Sequence, residues 1–162
     1  MAADTYCIDA SSLIKLKQDY RRSVFSGVWD KIEELAQEGR MIAPDEVRRE
    51  IEKDDLLGPW AKKNKNMFRK LDQAQLDTAK EVATHFPNLA KPGKFGPAAD
   101  PFVVALAHLE DQRASSPLLQ QRSRCMVVTE ERGADRIPGA CKRYNLGCMA
   151  LVDLFDREGW KF

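Results

Sequence analysis

The feature that most constrains this chain is the alternation of short apolar runs with longer stretches of helical periodicity. Tyr6-Cys7-Ile8, Met41-Ile42-Ala43 and Met126-Val127-Val128-Thr129 each carry strand-forming residues and each stops abruptly at polar or turn-forming ones. Between them, apolar residues recur at three- and four-residue spacing, which marks amphipathic helices rather than hairpin partners. Short strands joined by helical crossovers pair side by side in one direction, so the pattern predicts an α/β fold with a short parallel sheet flanked by helices. With 162 residues, no internal repeat and no shift in composition, the whole chain, 1–162, reads as one domain.

The helices can be placed roughly. Ser11 or Ser12 is a good N-cap for a helix bearing Leu13, Ile14, Leu16 and Tyr20. A second helix carries Phe25, Val28, Trp29, Ile32, Leu35 and Ala36 and ends near Gly39. Pro44 opens a third, with Val47 and Ile51 inward, and Asp72 caps a fourth that turns Leu76, Ala79 and Val82 to the core. Asp100-Pro101 has the form of an N-cap with proline at the first helical position. The apolar run after it predicts a helix buried on most sides. Residues 54–70 read as a polar, basic stretch, 87–97 as a loop and 110–124 as a polar linker. The tail suggests a short helix after Pro138, a strand at Gly147-Cys148-Met149 and a helix from Leu151 to Glu158.

Composition removes several classes. The longest apolar run, Phe102 to Ala107, is far short of the ~20 residues of a membrane span. The opening Met-Ala-Ala-Asp-Thr-Tyr lacks the basic start and apolar block of a secretory leader. Cys7, Cys125, Cys141 and Cys148 form no close-spaced pair, which points to reduced, buried thiols and a cytoplasmic location rather than a zinc site. A net charge of +1 argues against binding nucleic acid by overall charge, although a local patch would escape that argument. The stretch with Lys62, Lys63 and Lys65, interleaved with Trp60 and Phe68, is a candidate for nucleic-acid contact. Its alternative reading is a solvated helix face with the aromatic rings in the core.

The chemistry points to acids. No glycine-rich phosphate loop follows the first strand, and neither His85 nor His108 sits in a nucleophile setting; His108 is expected in the core. In a parallel α/β sheet, ligands bind beyond the carboxyl ends of the strands. Asp9 ends the first strand, Glu130 and Glu131 end the strand at 126–129, Asp100 opens the apolar helix, and Glu50 flanks the stripe of Val47 and Ile51. Carboxylates gathered there would raise one another's pKa unless a cation neutralised them, and oxygen ligands suit Mg2+ or Mn2+. Each acid also has a structural reading: Asp100 as a cap, Glu50 on a solvated face, Glu130-Glu131 as a surface turn. Asp9, directly after an apolar strand, has the least reason to be there without a ligand.

Tyr6-Cys-Ile-Asp9-Ala-Ser11-Ser12-Leu-Ile14 resembles the opening strand and helix of PIN-domain nucleases. Similar, in order, are Ile42-Ala-Pro44 leading to Glu50-Ile51, Ala99-Asp100-Pro101, and Val127-Val128-Thr129-Glu130-Glu131. With Ile137-Pro138, Cys141 and Leu151 to Leu154 in the tail, the chain is similar to the DUF4411 branch of PIN-like proteins, related to VapC-type toxins. The resemblance implies a three-layer α/β/α sandwich and a metal-dependent ribonuclease, the toxin of a toxin–antitoxin pair. It implies Asp9, Glu50, Asp100 and Glu131 as catalytic and metal-binding acids, with Glu130 as the less favoured fourth, and Ser11 and Thr129 as supporting hydroxyls. A glutamate at the fourth position departs from the family's usual Asp or Asn. The cofactor implied is Mg2+ or Mn2+; the partners are RNA, an antitoxin protein and a second copy of the chain. The rival expectations are a non-catalytic PIN-like binding module and a small-molecule phosphohydrolase.

Overall fold

The computed structural model describes residues 3–91, 98–115 and 123–162. Five strands form one parallel sheet: β1 (Thr5–Ile8), β2 (Met41–Pro44), β3 (Phe68–Arg69), β4 (Cys125–Val128) and β5 (Cys148–Met149), in the order β3-β2-β1-β4-β5. The central pair is in register from Thr5 opposite Cys125 to Ile8 opposite Val128. β2 and β4 are buried along their whole length and β1 from Tyr6 onward. That is why their sequences read as continuous apolar runs rather than alternating ones.

The helices among the described residues are α1 (Ala10–Asp19), α2 (Ser26–Gln37), α3 (Asp45–Ile51), α4 (Leu57–Lys63), α5 (Gln73–His85), α6 (Asp100–Ala114), α7 (Ile137–Arg143) and α8 (Leu151–Arg157). α6 lies against β1, β2 and β4 and packs with α5 and α7, whereas α1 packs with α3, α4 and α8, and α2 lies on β2. The result is a three-layer α/β/α sandwich. Val103 to Ala107 of α6 are buried without a break, as an apolar helix pressed between sheet and neighbours must be. One contiguous core runs from Tyr6 to Phe155. At the opposite edge from the strands' carboxyl ends, Glu158 accepts hydrogen bonds from the Tyr6 hydroxyl (2.6 Å) and the Arg40 guanidinium (2.8 Å), tying the tail to β1 and to the entry of β2.

Several expectations are corrected. α1 begins at Ala10, because Asp9, not Ser11 or Ser12, is its cap. Residues 54–70 hold a helix and an edge strand; Trp60, Ala61, Met67 and Phe68 are all buried, and the lysines between them masked that apolar face. α6 reaches Ala114, inside what read as linker. Its polar end is held by Arg124, which donates two bonds to Asp111, while Asp111 also accepts from the Cys125 amide. Residues 92–97 of the expected loop and 116–122 of the expected linker lie outside the described residues. Cys7, Cys125 and Cys141 are free and buried, but Cys148 is free and exposed on edge strand β5. His108 is half-buried, edge-on to Tyr144 at 5.0 Å, rather than deep in the core. No described helix is long and apolar enough to cross a membrane.

Gly139 has a packing role. A Cβ there would stand 1.8 Å from the Ala134 carbonyl oxygen, so only glycine lets the loop after β4 lie on the first turn of α7. Gly139→Ala should lower unfolding free energy by about 1–3 kcal/mol. Urea denaturation followed by circular dichroism measures this, and an unchanged midpoint would contradict the close approach.

Candidate metal centre

The sheet grows outward from β1 in both directions, so the strand order reverses between β1 and β4. A crevice opens at such a reversal, beyond the strands' carboxyl ends. Asp9 stands there. Its amide donates to the Val128 carbonyl at 2.9 Å, which continues the β1–β4 ladder by one rung and fixes the backbone on which the side chain rides. The carboxylate, 2% exposed, is held by three donors: the Ala10 amide on Oδ1 (2.8 Å), and the Ser11 (2.7 Å) and Thr129 (2.9 Å) hydroxyls on Oδ2.

The same hydroxyls position the loop after β4. The Glu130 amide donates to Ser11 Oγ at 3.0 Å and the Glu131 amide to Thr129 Oγ1 at 3.1 Å. From that loop the two glutamates diverge. Glu130 turns toward α8, accepting from the Leu151 amide (2.8 Å) and from Ser12 Oγ (3.4 Å). Glu131 turns inward, its Oε2 accepting from the Ile137 amide at 3.4 Å.

Asp100 arrives from the other side of the sheet. It is the first residue of α6, whose cap is Ala99, and it makes no capping hydrogen bond. Its carboxyl group instead faces Glu131, with an oxygen of each within 4.8 Å of the other. Asp9, Asp100 and Glu131 each offer an oxygen, all within 4.8 Å of one another. Glu50 is outside that triad but lines the same open cleft of about 280 Å3, and its Oε1 accepts from the Ala99 amide at 3.0 Å, tying α3 to the residue before Asp100.

The electrostatics are those of crowded, partly dehydrated anions. Burial, then the Glu131 charge, push Asp9 up to about 6 despite its hydroxyl donors. Burial, then Asp9 and Glu131, push Asp100 up to about 8. Glu50 is also raised, mainly by burial and opposed by its bond from the Ala99 amide. Without a cation, the cluster keeps protons near neutrality.

The other expected residues are placed differently. Lys62, Lys63 and Lys65 are exposed, and none lines the acidic cleft; Lys63 borders a separate one beside Gln37 and Asn66. Trp60 and Phe68, 4% and 7% exposed, are core residues unable to stack on bases. Sequence reasoning passed over Lys91, which lines the acidic cleft, and Arg132, which lines the cleft on the far side of Glu131. Lys91 was hidden in a proline-rich stretch; the place of Arg132 directly after the acid pair was a usable signal.

A family model described as a domain of unknown function (DUF4411) matches residues 6–162. The chain belongs to the DUF4411 family. No curated protein matches it. In this DUF4411 chain the donor set of the triad is entirely carboxylate, and two of its members are pushed toward neutrality by burial and by one another's charge. Oxygen-only donors with excess negative charge fit a hard divalent cation, and Asp9, Asp100 and Glu131 are the residues that would hold it.

Asp9 and Asp100 keep protons in the folded chain at pH values where the unfolded chain, with aspartate near pH 4, has released them. The stability these two groups contribute to the metal-free protein therefore falls as pH rises from about 4, and it is gone above about 8. Asp100→Asn should raise the metal-free protein's melting midpoint at pH 8 by roughly 2–6 °C. Saturating Mn2+ should raise the wild-type midpoint and leave that of the variant nearly unchanged. Differential scanning calorimetry reads both, and equal Mn2+ shifts in the two proteins would argue against Asp100 as a ligand.

Proposed function

We propose that this chain is a PIN-like, Mg2+- or Mn2+-dependent ribonuclease, related to VapC-type toxins. The observation that supports it most is the meeting of Asp9, Asp100 and Glu131 at the reversal point of the sheet, each from a different segment and all within 4.8 Å. Three buried or half-buried acids that form no ion pair among the described residues destabilise a fold, so their gathering favours a ligand that neutralises them. The open mouth of the cleft favours a substrate larger than the ion alone.

A bound divalent ion supplies a water of lowered pKa and offsets charge on a phosphodiester. The protein's own contribution is positional. Asp9 is clamped by Ser11, Thr129 and the Ala10 amide, so one carboxylate geometry is set before any ligand arrives. Asp100 and Glu131 complete the donor set from the α6 and β4 sides. Glu50, half-buried with its pKa raised, stands at the rim as acceptor for the proton of the attacking water. Glu131, a glutamate where the family resemblance leads one to expect Asp or Asn, joins the triad from a loop anchored by the Ile137 amide. The same reading makes the chain the cytoplasmic toxin of a toxin–antitoxin pair, held in check by an antitoxin protein and pairing with a second copy of itself.

Asp9→Asn keeps an acceptor for Ser11 and Thr129 but removes the charge. It should preserve the circular dichroism spectrum while lowering Mn2+-dependent cleavage of a single-stranded oligoribonucleotide by at least about 100-fold. Undiminished cleavage in that variant refutes the assignment. A wild-type protein that binds RNA without cutting it would be a binding module, and one that cleaves only p-nitrophenyl phosphate would be a small-molecule phosphohydrolase.

A further inference from the structure

The acidic cleft adjoins another along the same edge of the sheet. They share Glu131 as a wall, and the second, of about 300 Å3, passes Glu130 and Asp153 on its way to β5. Among the described residues each contains one cation, Lys91 in the acidic cleft and Arg132 in its neighbour, so the two stand on opposite sides of Glu131. Neither has a carboxylate partner among the described residues. Arg22, Arg40, Arg48, Arg124 and Arg157 each hold a carboxylate at 2.6–2.8 Å. Arg21, Arg69 and Arg136 also hold no carboxylate, but Arg132 stands in a cleft lined by three acids, Glu130, Glu131 and Asp153, and pairs with none of them.

A guanidinium and an ammonium left open on either side of a divalent-ion site match the charge pattern of a phosphate chain. With the ion in place, the triad no longer repels an anion, and positive charge lies on both flanks of the reacting centre. A small phosphate ester can meet the ion and one flank; only a strand carrying successive phosphates can meet both. We infer that Lys91 and Arg132 are positioning residues that bind the phosphates on either side of the one being cleaved, so that the substrate lies along the paired clefts as a strand. This rests on the nuclease reading above.

The test is fluorescence anisotropy with a labelled single-stranded oligoribonucleotide of about ten nucleotides. Ca2+ replaces Mg2+, the oligomer is checked for integrity afterwards, and salt is varied from about 50 to 200 mM. Lys91→Gln and Arg132→Gln should each reduce the slope of log affinity against log salt by about 0.7, and the double variant by about 1.4. Lys65→Gln, which removes one exposed charge outside these clefts, should leave it unchanged. Mn2+ affinity by calorimetry should stay within about twofold for all three single variants. Wild-type binding with slopes unaltered in Lys91→Gln and Arg132→Gln, or lowered equally by Lys65→Gln, overturns the inference and leaves the nuclease reading standing. A wild-type protein that binds no oligoribonucleotide overturns both.

Discussion

The structure turns on one joint, where β1 and β4 run out together and Asp9 extends their ladder by a final hydrogen bond to Val128. From that rung the carboxylate simultaneously caps α1 and takes hydroxyl donors from both strands' exits. The geometry of the centre is thus an extension of sheet register. A slip of β1 against β4 would unmake the cap, the hydroxyl clamp and the placing of Glu131 in one move. This is why such a site belongs on the two central strands, whose pairing is buried on both faces and least free to shift.

The price of that arrangement is electrostatic. A core built from Val103, Val104, Val127 and Val128 supplies a low-dielectric floor, and carboxylates above it repel one another more strongly than they would in water. Asp100, pushed to about 8, shows where the tension is greatest, because it faces both Asp9 and Glu131. The apolar helix that makes the core stable is the same one that delivers Asp100 to its least comfortable position. Stability and site are coupled through α6, and a ligand that relieves the site also stiffens the fold.

Much of this could be read from residue order alone. The strands at 6–8, 41–43 and 126–128 announce themselves because strands covered on both faces need unbroken apolar runs. Asp9, Asp100 and the Glu130–Glu131 pair were legible as candidates because each follows such a run or opens the most apolar helix. Which of Glu130 and Glu131 turns inward was not, since it depends on Ser11 catching the Glu130 amide from 119 residues away while Thr129 catches the next one. β3 was missed for a different reason. A two-residue edge strand carries too little pattern to stand out among lysines. The cap of α1 was misplaced because Asp9 both extends the β1–β4 ladder and caps the helix, and a serine beside it satisfies the usual preference equally well.

Thr129, which clamps Asp9, follows it by 120 residues, and Glu131 comes later still. During synthesis, Asp9 emerges with neither its clamp nor its fellow acids, and no shorter nascent segment contains the means to assemble them. The cleft is assembled only once β4 has left the ribosome and slotted in beside β1, so the order of translation sets when its acids first meet.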